Sequence, residues 1–323
     1  MMSWPDFAYK QIIVHQIKGR GEKIRFRADN IVILDADGAV LLQHTCHRLF
    51  ALFIIGEISM TSVLLRNSVK YGFPIILMSG GLRVVARFNC AAEGSTLLRR
   101  KQYEIGERAL VIAKELIRQK IANQMTLIKE LRRLSSDNLS AIDYLKSVNV
   151  DCADDIHGLM GLEGNASRVF FASYFSPLGW NRREPRCKRD IYNVLLDIGY
   201  TFVFQFVEAV LSLYGFDLYC GVLHAFFYQR KSLVCDIVEP FRCVIDQRIR
   251  KAYNLGQIDE GDFFFRDGMY MLEWRNHEKY TRLFLKDILA RKEEIFKYCQ
   301  SYYRWFMRNG EISSFPVFRI RGS

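Results

Sequence analysis

The rhythm of apolar and polar positions changes once along the chain, near residue 95. Before that point the apolar residues come in short alternating or β-branched runs, at 11–15, 23–27 and 30–34, and Ala36-Asp37-Gly38 offers a turn before Val40-Leu41-Leu42. These runs predict a meander of antiparallel strands. Ser59 stands where it can cap a helix that runs to about Tyr71 and ends on Gly72. Pro74-Ile75-Ile76-Leu77 then resumes as strand, Gly80-Gly81 turns the chain, and 82–88 closes the set.

Beyond residue 95 the period becomes helical. Ala109, Ile112, Leu116, Ile117, Ile121, Met125, Ile128 and Leu131 recur at intervals that lay them on one face of a long helix, with Lys and Arg opposite. Further helices are expected around 138–147, 159–175, 190–214, 232–254 and 276–308. The pattern predicts an α+β chain, with a β-rich N-terminal domain over residues 1–95 and a larger, almost wholly α domain over 96–323. Residues 200–223 are nearly unbroken in apolar side chains, and about 20 of these suffice to cross a bilayer. Gln205, Glu208 and Asp217 interrupt the run and Gly215 breaks it, which favours the central helix of a helical core over a membrane span.

Composition narrows the partners. Half of the 323 residues are apolar, enough for two cores of ordinary size. A formal charge of +11, from 46 Lys and Arg against 35 Asp and Glu, favours a polyanion. Nucleic acid and an anionic membrane surface both satisfy it, and a surplus of this size also serves simple solubility. The eight cysteines include no C-x-x-C pair and read as reduced thiols in a cytoplasm. Met1-Met2-Ser3-Trp4-Pro5-Asp6 lacks the charged-then-apolar order of a secretion signal, so the mature protein is expected to begin there. No Gly-rich loop ending in Gly-Lys-Ser or Gly-Lys-Thr and no H-E-x-x-H is found, which removes the common nucleotide-driven and zinc-protease readings. His44-Thr45-Cys46-His47 looks ligand-like, but it follows a strand without further ligands nearby and reads as structural or surface.

The helical half carries the chemistry. Glu163 sits in a helix whose later turns hold Val169, Phe170 and Phe171, and a carboxylate among such neighbours must find a cation or a donor. His224 ends the long apolar stretch. Asp236 and Glu239 follow at a spacing that puts both on one face of a helix that Ser232 can cap. Two carboxylates and an imidazole form a mixed oxygen and nitrogen site suited to Mn²⁺ and, with added waters, to Mg²⁺. Each residue alone has an ordinary explanation as a solvated glutamate or a structural histidine. The nearby basic loop, with Arg182, Arg183, Arg186, Lys188 and Arg189 against a single Glu184, suits phosphate contacts and tips the balance toward nucleic-acid chemistry.

These residues resemble the CRISPR-associated integrase family, which inserts new spacers into the repeat array. The likeness runs over nearly the whole chain. Phe53-Ile54-Ile55-Gly56 with Ser59-Met60-Thr61-Ser62, Gly72-Phe73-Pro74, and Leu97-Leu98-Arg99-Arg100-Lys101-Gln102-Tyr103 resemble the first domain and hinge. Glu163-Gly164-Asn165-Ala166, Tyr174-Phe175, Asn181-Arg182-Arg183, Asp190 with Asn193, Gly199-Tyr200, Gly221-Val222-Leu223-His224, and Ser232 to Asp236 with Glu239, Phe241 and Arg242 follow in family order and are the more specific set. Arg189 replaces a common lysine, Ile191 a usual proline, and Pro240 stands where a helix former is expected. Pro240 predicts a kink that weakens the case for Asp236 more than for Glu239.

The resemblance implies a metal-dependent endonuclease and integrase with Mg²⁺ or Mn²⁺ on Glu163, His224 and Glu239, which are also the catalytic residues, and Asp236 in support. It implies DNA contacts by Arg99, Arg100, Arg182, Arg183, Arg186, Lys188, Arg189 and Arg242, with Asn193 and Tyr200 supporting. The first domain would form a homodimer, and a small second subunit would bridge two dimers. The substrates would be double-stranded DNA, a prespacer fragment and the CRISPR repeat, in a prokaryotic cytoplasm and without a membrane. The reaction would be attack of a 3′-hydroxyl on a phosphodiester. A nuclease that trims or resolves branched DNA, and a non-catalytic DNA-binding scaffold, are the alternatives.

Overall fold

The computed structural model describes residues 2–88, 95–179, 182–184, 187–224 and 228–320. The chain divides into two compact units, the first made of Met1–Gly94, Ser212–Gly215 and Leu272–Tyr280. Its elements are α1 (Trp4–Ala8), β1 (Gln11–Gln16), β2 (Lys23–Arg27), β3 (Asn30–Leu34), β4 (Val40–Thr45), β5 (Leu49–Ile55), α2 (Ser62–Tyr71), β6 (Ile75–Met78) and β7 (Val84–Phe88).

The expected antiparallel meander exists only in the sheet β2-β3-β4, where Ile24 faces Ile33 and Val32 faces Gln43. The other sheet has the order β1-β5-β6-β7, and in it β5 runs parallel to both β1 and β6. The reason lies in β5, all seven residues of which are buried. A strand covered on both faces reads as a continuous apolar run, and its parallel neighbours arrive by crossovers: the β2–β4 sheet before it, α2 after it. Helix α2 starts later than expected, because Thr61 accepts from Leu64 N while Ser59 bridges to Lys23. It ends as expected on Gly72, at φ 69°. Ile13, Ile33, Leu52, Ile54, Leu64 and Phe73 form the centre of this core.

The second unit comprises Ser95–Leu211, Phe216–Met271 and Thr281–Ser323. Its elements, some of whose end residues fall in the first unit, are α3 (Thr96–Tyr103), α4 (Arg108–Lys129), α5 (Ser136–Ser147), α6 (Ile156–Tyr174), α7 (Ile191–Tyr214), α8 (Ser232–Val238) and α9 (Arg242–Asn254), followed by β8 (Phe263–Arg266) and β9 (Met269–Leu272). Helices α10 (His277–Ala290) and α11 (Lys292–Met307) complete the set. The expected helix over 232–254 is cut by a 3₁₀ turn, Glu239–Phe241, where Pro240 cannot donate to the helical ladder. The hairpin β8-β9 is a small β element within the expected, almost wholly α domain. Its two-residue turn Asp267-Gly268 has φ 52° and 79°, the left-handed pair that a tight hairpin needs.

Helix α7 is long and apolar enough to cross a membrane, yet 83% of its most apolar window is buried in the protein, which makes it the central helix that the sequence suggested. Helix α4 buries Ile112, Leu116, Ile117 and Ile128 on one face. It also buries two amides one turn apart, and these fasten the C-terminal residues along it. Gln119 donates to Pro316 O at 2.9 Å and accepts from Phe318 N at 3.0 Å. Asn123 accepts from Ile320 N at 3.0 Å and donates to Phe318 O at 3.3 Å and to Pro240 O at 3.0 Å. The ring of Phe318 packs on Phe241 at 4.6 Å between centroids, so the same strap steadies the 3₁₀ turn.

Gly199 marks a close approach to α7, since a Cβ there would overlap Ile245 and come within 3.1 Å of Phe284. Gly199→Ala is expected to lower stability by about 1–3 kcal/mol through overpacking, read as a drop in melting temperature.

Candidate active site

Helices α4 and α6 lie side by side and present matched rows: Lys120 and Gln124 on one, Glu163 and Ser167 on the other. Lys120 Nζ donates to Glu163 Oε1 at 2.5 Å and to Glu239 Oε2 at 2.6 Å. Ser167 Oγ donates to the same Glu163 oxygen at 2.8 Å. Glu239 arrives on the 3₁₀ turn, and its second oxygen accepts from Arg242 Nε at 3.0 Å. Burial alone pushes both carboxyls up, but the cations win. Arg242 and Lys120 hold Glu239 down at about 2, and Lys120 holds Glu163 below its ordinary range. Lys120 is itself desolvated, and Glu239 and Glu163 more than offset that, keeping the ammonium charged.

A third carboxylate, that of Asp236, supports His224 from behind. Asp236 is fully buried. Its Oδ2 accepts from the backbone N–H of Val222 at 2.5 Å and of Leu223 at 3.1 Å, while Oδ1 accepts from His224 N at 3.0 Å and pairs with His224 Nδ1 at 2.6 Å. Gly221 lets this turn close, because a Cβ there would stand 2.6 Å from Asp236 Oδ2 and 2.7 Å from the Ser232 backbone. Committing Nδ1 to a carboxylate leaves Nε2 as the ring atom for a ligand or a proton.

Cations and an aromatic ring complete the site. The guanidinium of Arg242 lies 4.7 Å from the Tyr200 ring centroid and that of Arg183 lies 5.6 Å from it. Tyr200 donates its hydroxyl to Asp246 Oδ1 at 2.5 Å. Arg183 is fixed by Asp197 at 2.5 Å and by Asn193 Oδ1 at 2.8 Å. Asn193 is fully buried and ties both ends of the basic loop: its amide accepts from Glu184 N and donates to Arg182 O and to Asp190 Oδ2.

Glu163, His224, Glu239, Arg183, Arg242 and Tyr200 all line one cavity of about 300 Å³, together with Lys120, Gln124 and Asp246. Asp236 does not line it. Its oxygens are spent on the turn and on His224, so the support expected of Asp236 is given through His224. Among the described residues no three His, Cys, Asp or Glu side chains are close enough together to hold a metal ion as they stand. The donor chemistry nevertheless fits Mg²⁺ or Mn²⁺, since two ionised carboxylates and a free imidazole nitrogen face one space, and the carboxylate pair already holds a cation in the form of Lys120.

The other expected DNA contacts fare unequally. Arg182 and Arg189 are exposed and share Glu184, at 2.5 and 3.4 Å. Arg100 is exposed and pairs with Glu104, while Arg99 is half-buried. Lys188 is a correction: it is buried at φ 50°, and its carbonyl accepts from Tyr270 N of the β8-β9 hairpin, so it is no surface cation. Arg186 lies outside the described residues. The sequence reading missed Lys120 and Asp246 altogether. Lys120 was hidden in the polar stripe of an amphipathic helix, where a lysine is usually solvated.

The sequence profile of the family described as CRISPR associated protein Cas1 matches residues 16–286. A CRISPR-associated endonuclease Cas1 of Thermodesulfovibrio yellowstonii is 30% identical over 223 residues, covering 65% of this chain and 70% of that protein. One from Archaeoglobus fulgidus is 24% identical over 84% of this chain and 86% of that protein. A Cas1 structure from Thermotoga maritima superimposes with a TM-score of 0.80 at 20% identity, over 96% of this chain and 99% of that one. A casposase bound to integration product gives 0.77 at 16% identity, over 97% and 96%. A chain of a Cas6-RT-Cas1–Cas2 complex gives 0.83 at 20% identity, over 97% of this chain and 36% of that longer one. These structures show a shared fold.

Burial pushes Asp246 up from its ordinary value of 3.8 to about 7, against the pull of the Tyr200 hydroxyl and the nearby cations. Its raised value means that folding favours the protonated acid: the contribution is complete below about pH 4 and is lost as pH rises through about 7. Asp246→Asn is expected to remove that loss, gaining on the order of 2–4 kcal/mol relative to wild type between pH 5 and pH 8, by denaturant unfolding at a series of pH values.

Proposed function

The chain belongs to the Cas1 family of CRISPR-associated proteins, and from that premise we propose that it is a metal-dependent DNA integrase of spacer acquisition. The observation that carries this reading is the cavity in which Glu163, Glu239 and His224 meet the guanidinium groups of Arg183 and Arg242. Carboxylates for a cation and guanidinium groups for phosphate, side by side, are what phosphodiester chemistry requires.

Glu163, Glu239 and His224 are the residues that would hold Mg²⁺ or Mn²⁺, and Asp236 serves by orienting His224. The ion, when bound, supplies Lewis-acid activation of the phosphoryl oxygen and favours the ionised form of the attacking 3′-hydroxyl. Arg183 and Arg242, spaced by the Tyr200 ring, take the non-bridging oxygens of the phosphate as negative charge grows on them. With Nδ1 held by Asp236, His224 has one ring nitrogen to offer, and Nε2 would either ligate the ion or stabilise the leaving 3′-oxygen. Arg99, Arg100, Arg182 and Arg189 follow the DNA backbone outside the cavity.

Residues 1–95 form the homodimer contact and 96–323 the catalytic domain, working in a prokaryotic cytoplasm. A small second subunit bridges two dimers, a reading supported by the Cas1–Cas2 complex whose chain shares this fold. The casposase neighbour, bound to integration product, supports strand joining. The name endonuclease carried by the relatives favours a second reading at the same site, in which water replaces the 3′-hydroxyl and branched DNA is cut.

The test is a strand-transfer assay with the purified chain, a labelled DNA fragment and a repeat-containing plasmid, with and without Mn²⁺ and the small subunit. Glu163→Ala and His224→Ala are expected to lose joining by about 10²-fold or more while DNA affinity changes little. Joining by His224→Ala at the wild-type rate overturns the assignment, and cleaved branches without joined product select the nuclease. DNA affinity of the wild type is expected to fall by about 10³-fold or more between roughly 50 and 200 mM salt, as counterion release requires for several phosphate contacts.

A further inference from the structure

Four charges meet at the floor of the cavity, and they cancel: Lys120 and Arg242 against Glu163 and Glu239. The cluster is therefore neutral without any metal. A divalent ion on these carboxylates would have to take oxygens that Lys120 Nζ already holds, Glu163 Oε1 and Glu239 Oε2, while Arg242 is held by Glu239 Oε1 and lies against Tyr200. Lys120 is the mobile member, a point charge on a stem with four rotatable bonds.

A second acceptor waits for it one helical turn away. Gln124 lies four residues on from Lys120 along α4 and lines the same cavity. It is 3% exposed, its Nε2 is used on Ser167 Oγ at 3.3 Å, and its Oε1 is buried with no hydrogen-bond partner among the described residues. A buried amide oxygen left unpaired is costly, and an ammonium moved off the carboxylates would satisfy it.

We propose that Lys120 is a built-in cation that holds the Glu163–Glu239 pair together when no metal is bound, and that metal enters by exchange, with the ammonium moving to Gln124 Oε1. The inference rests on the metal reading of this site. In this scheme Lys120 is a positioning residue with two settings. It keeps two buried carboxylates from repelling each other in the empty protein, and it makes metal affinity the difference between two occupants rather than the full attraction of two bare acids. Metal loading thereby also delivers a positive charge to the α4 side of the cavity.

The test is a titration of the full chain with MnCl₂, following free Mn²⁺ by electron paramagnetic resonance, alongside melting temperatures without metal. Lys120→Met is expected to bind Mn²⁺ about tenfold more tightly or better, and to melt lower than wild type in the absence of metal, since a competitor and a counter-charge are lost together. Lys120→Gln keeps a donor for the carboxylates while removing the charge, and answers the same question should the Met variant not fold. Gln124→Leu is expected to bind Mn²⁺ several-fold more weakly, because the displaced ammonium has lost its acceptor. Affinity that is unchanged or weaker in both Lys120 variants overturns the exchange, and unchanged affinity in Gln124→Leu overturns the landing place. Glu163→Ala separates this idea from its parent. If that variant binds Mn²⁺ like wild type, the metal reading itself fails; if it loses Mn²⁺ while the Lys120 variants match wild type, only the exchange fails.

Discussion

A single ammonium group organises the helical half of this molecule. Lys120 Nζ joins α4 to α6 through Glu163 and to the 239–241 turn through Glu239, so three elements distant in sequence share one buried donor. Removing one partner of such a buried pair typically costs about 3–5 kcal/mol, because the charge left behind has neither water nor counter-ion. Arg242 on the far oxygen of Glu239, and Tyr200 beneath Arg242, extend the same network to α7 and to the loop that carries Arg183. Packing sets the distance between the helices, and the charges select their register.

The acidic groups divide their work by what they face. Glu163 and Glu239 face cations and stay ionised, Asp236 faces backbone N–H groups and the inner nitrogen of His224, and Asp246 faces the Tyr200 phenol and is pushed by burial toward its neutral form. Equivalent chemistry in three environments thus yields charge storage, loop closure and a neutral acid. Glu163, Glu239 and Asp246 line the cavity, and Asp236 stands behind it.

Much of this was legible in the sequence. The change of period near residue 95, the Gly72 stop and the long α4 face are local signals, and local signals survive folding. The parallel pairing of β5 was not legible, because a run such as Leu49–Ile55 says that a strand is buried without saying which way its neighbours point. The hairpin at Asp267-Gly268 was legible and overlooked, its turn pair being masked by the helical rhythm on either side. At the site, Glu163, His224 and Glu239 stood out as polar residues in apolar surroundings. Lys120 could not, since in one dimension it is an ordinary polar-face lysine, and only the approach of α6 and the 239–241 turn turns it into a buried counter-charge. Lys188 erred in the opposite sense, a basic residue in a basic loop that a backbone contact pulls inside.

The strap along α4 has a bearing on how the molecule comes into being. Gln119 waits for a partner 197 positions further on, so at roughly 5–20 residues per second a ribosome leaves that amide unmatched for roughly 10–40 s. During that interval Lys120, Glu163, His224 and Glu239 have all been made, but the 239–241 turn still lacks Phe318 behind Phe241 and the hydrogen bond network through Asn123 is incomplete. Translation order therefore sets the charged groups of the cavity in place before the segment that straps the helix beneath them, and a message broken off between residues 246 and 316 yields a polypeptide with every charged side chain of the cavity and without that strap.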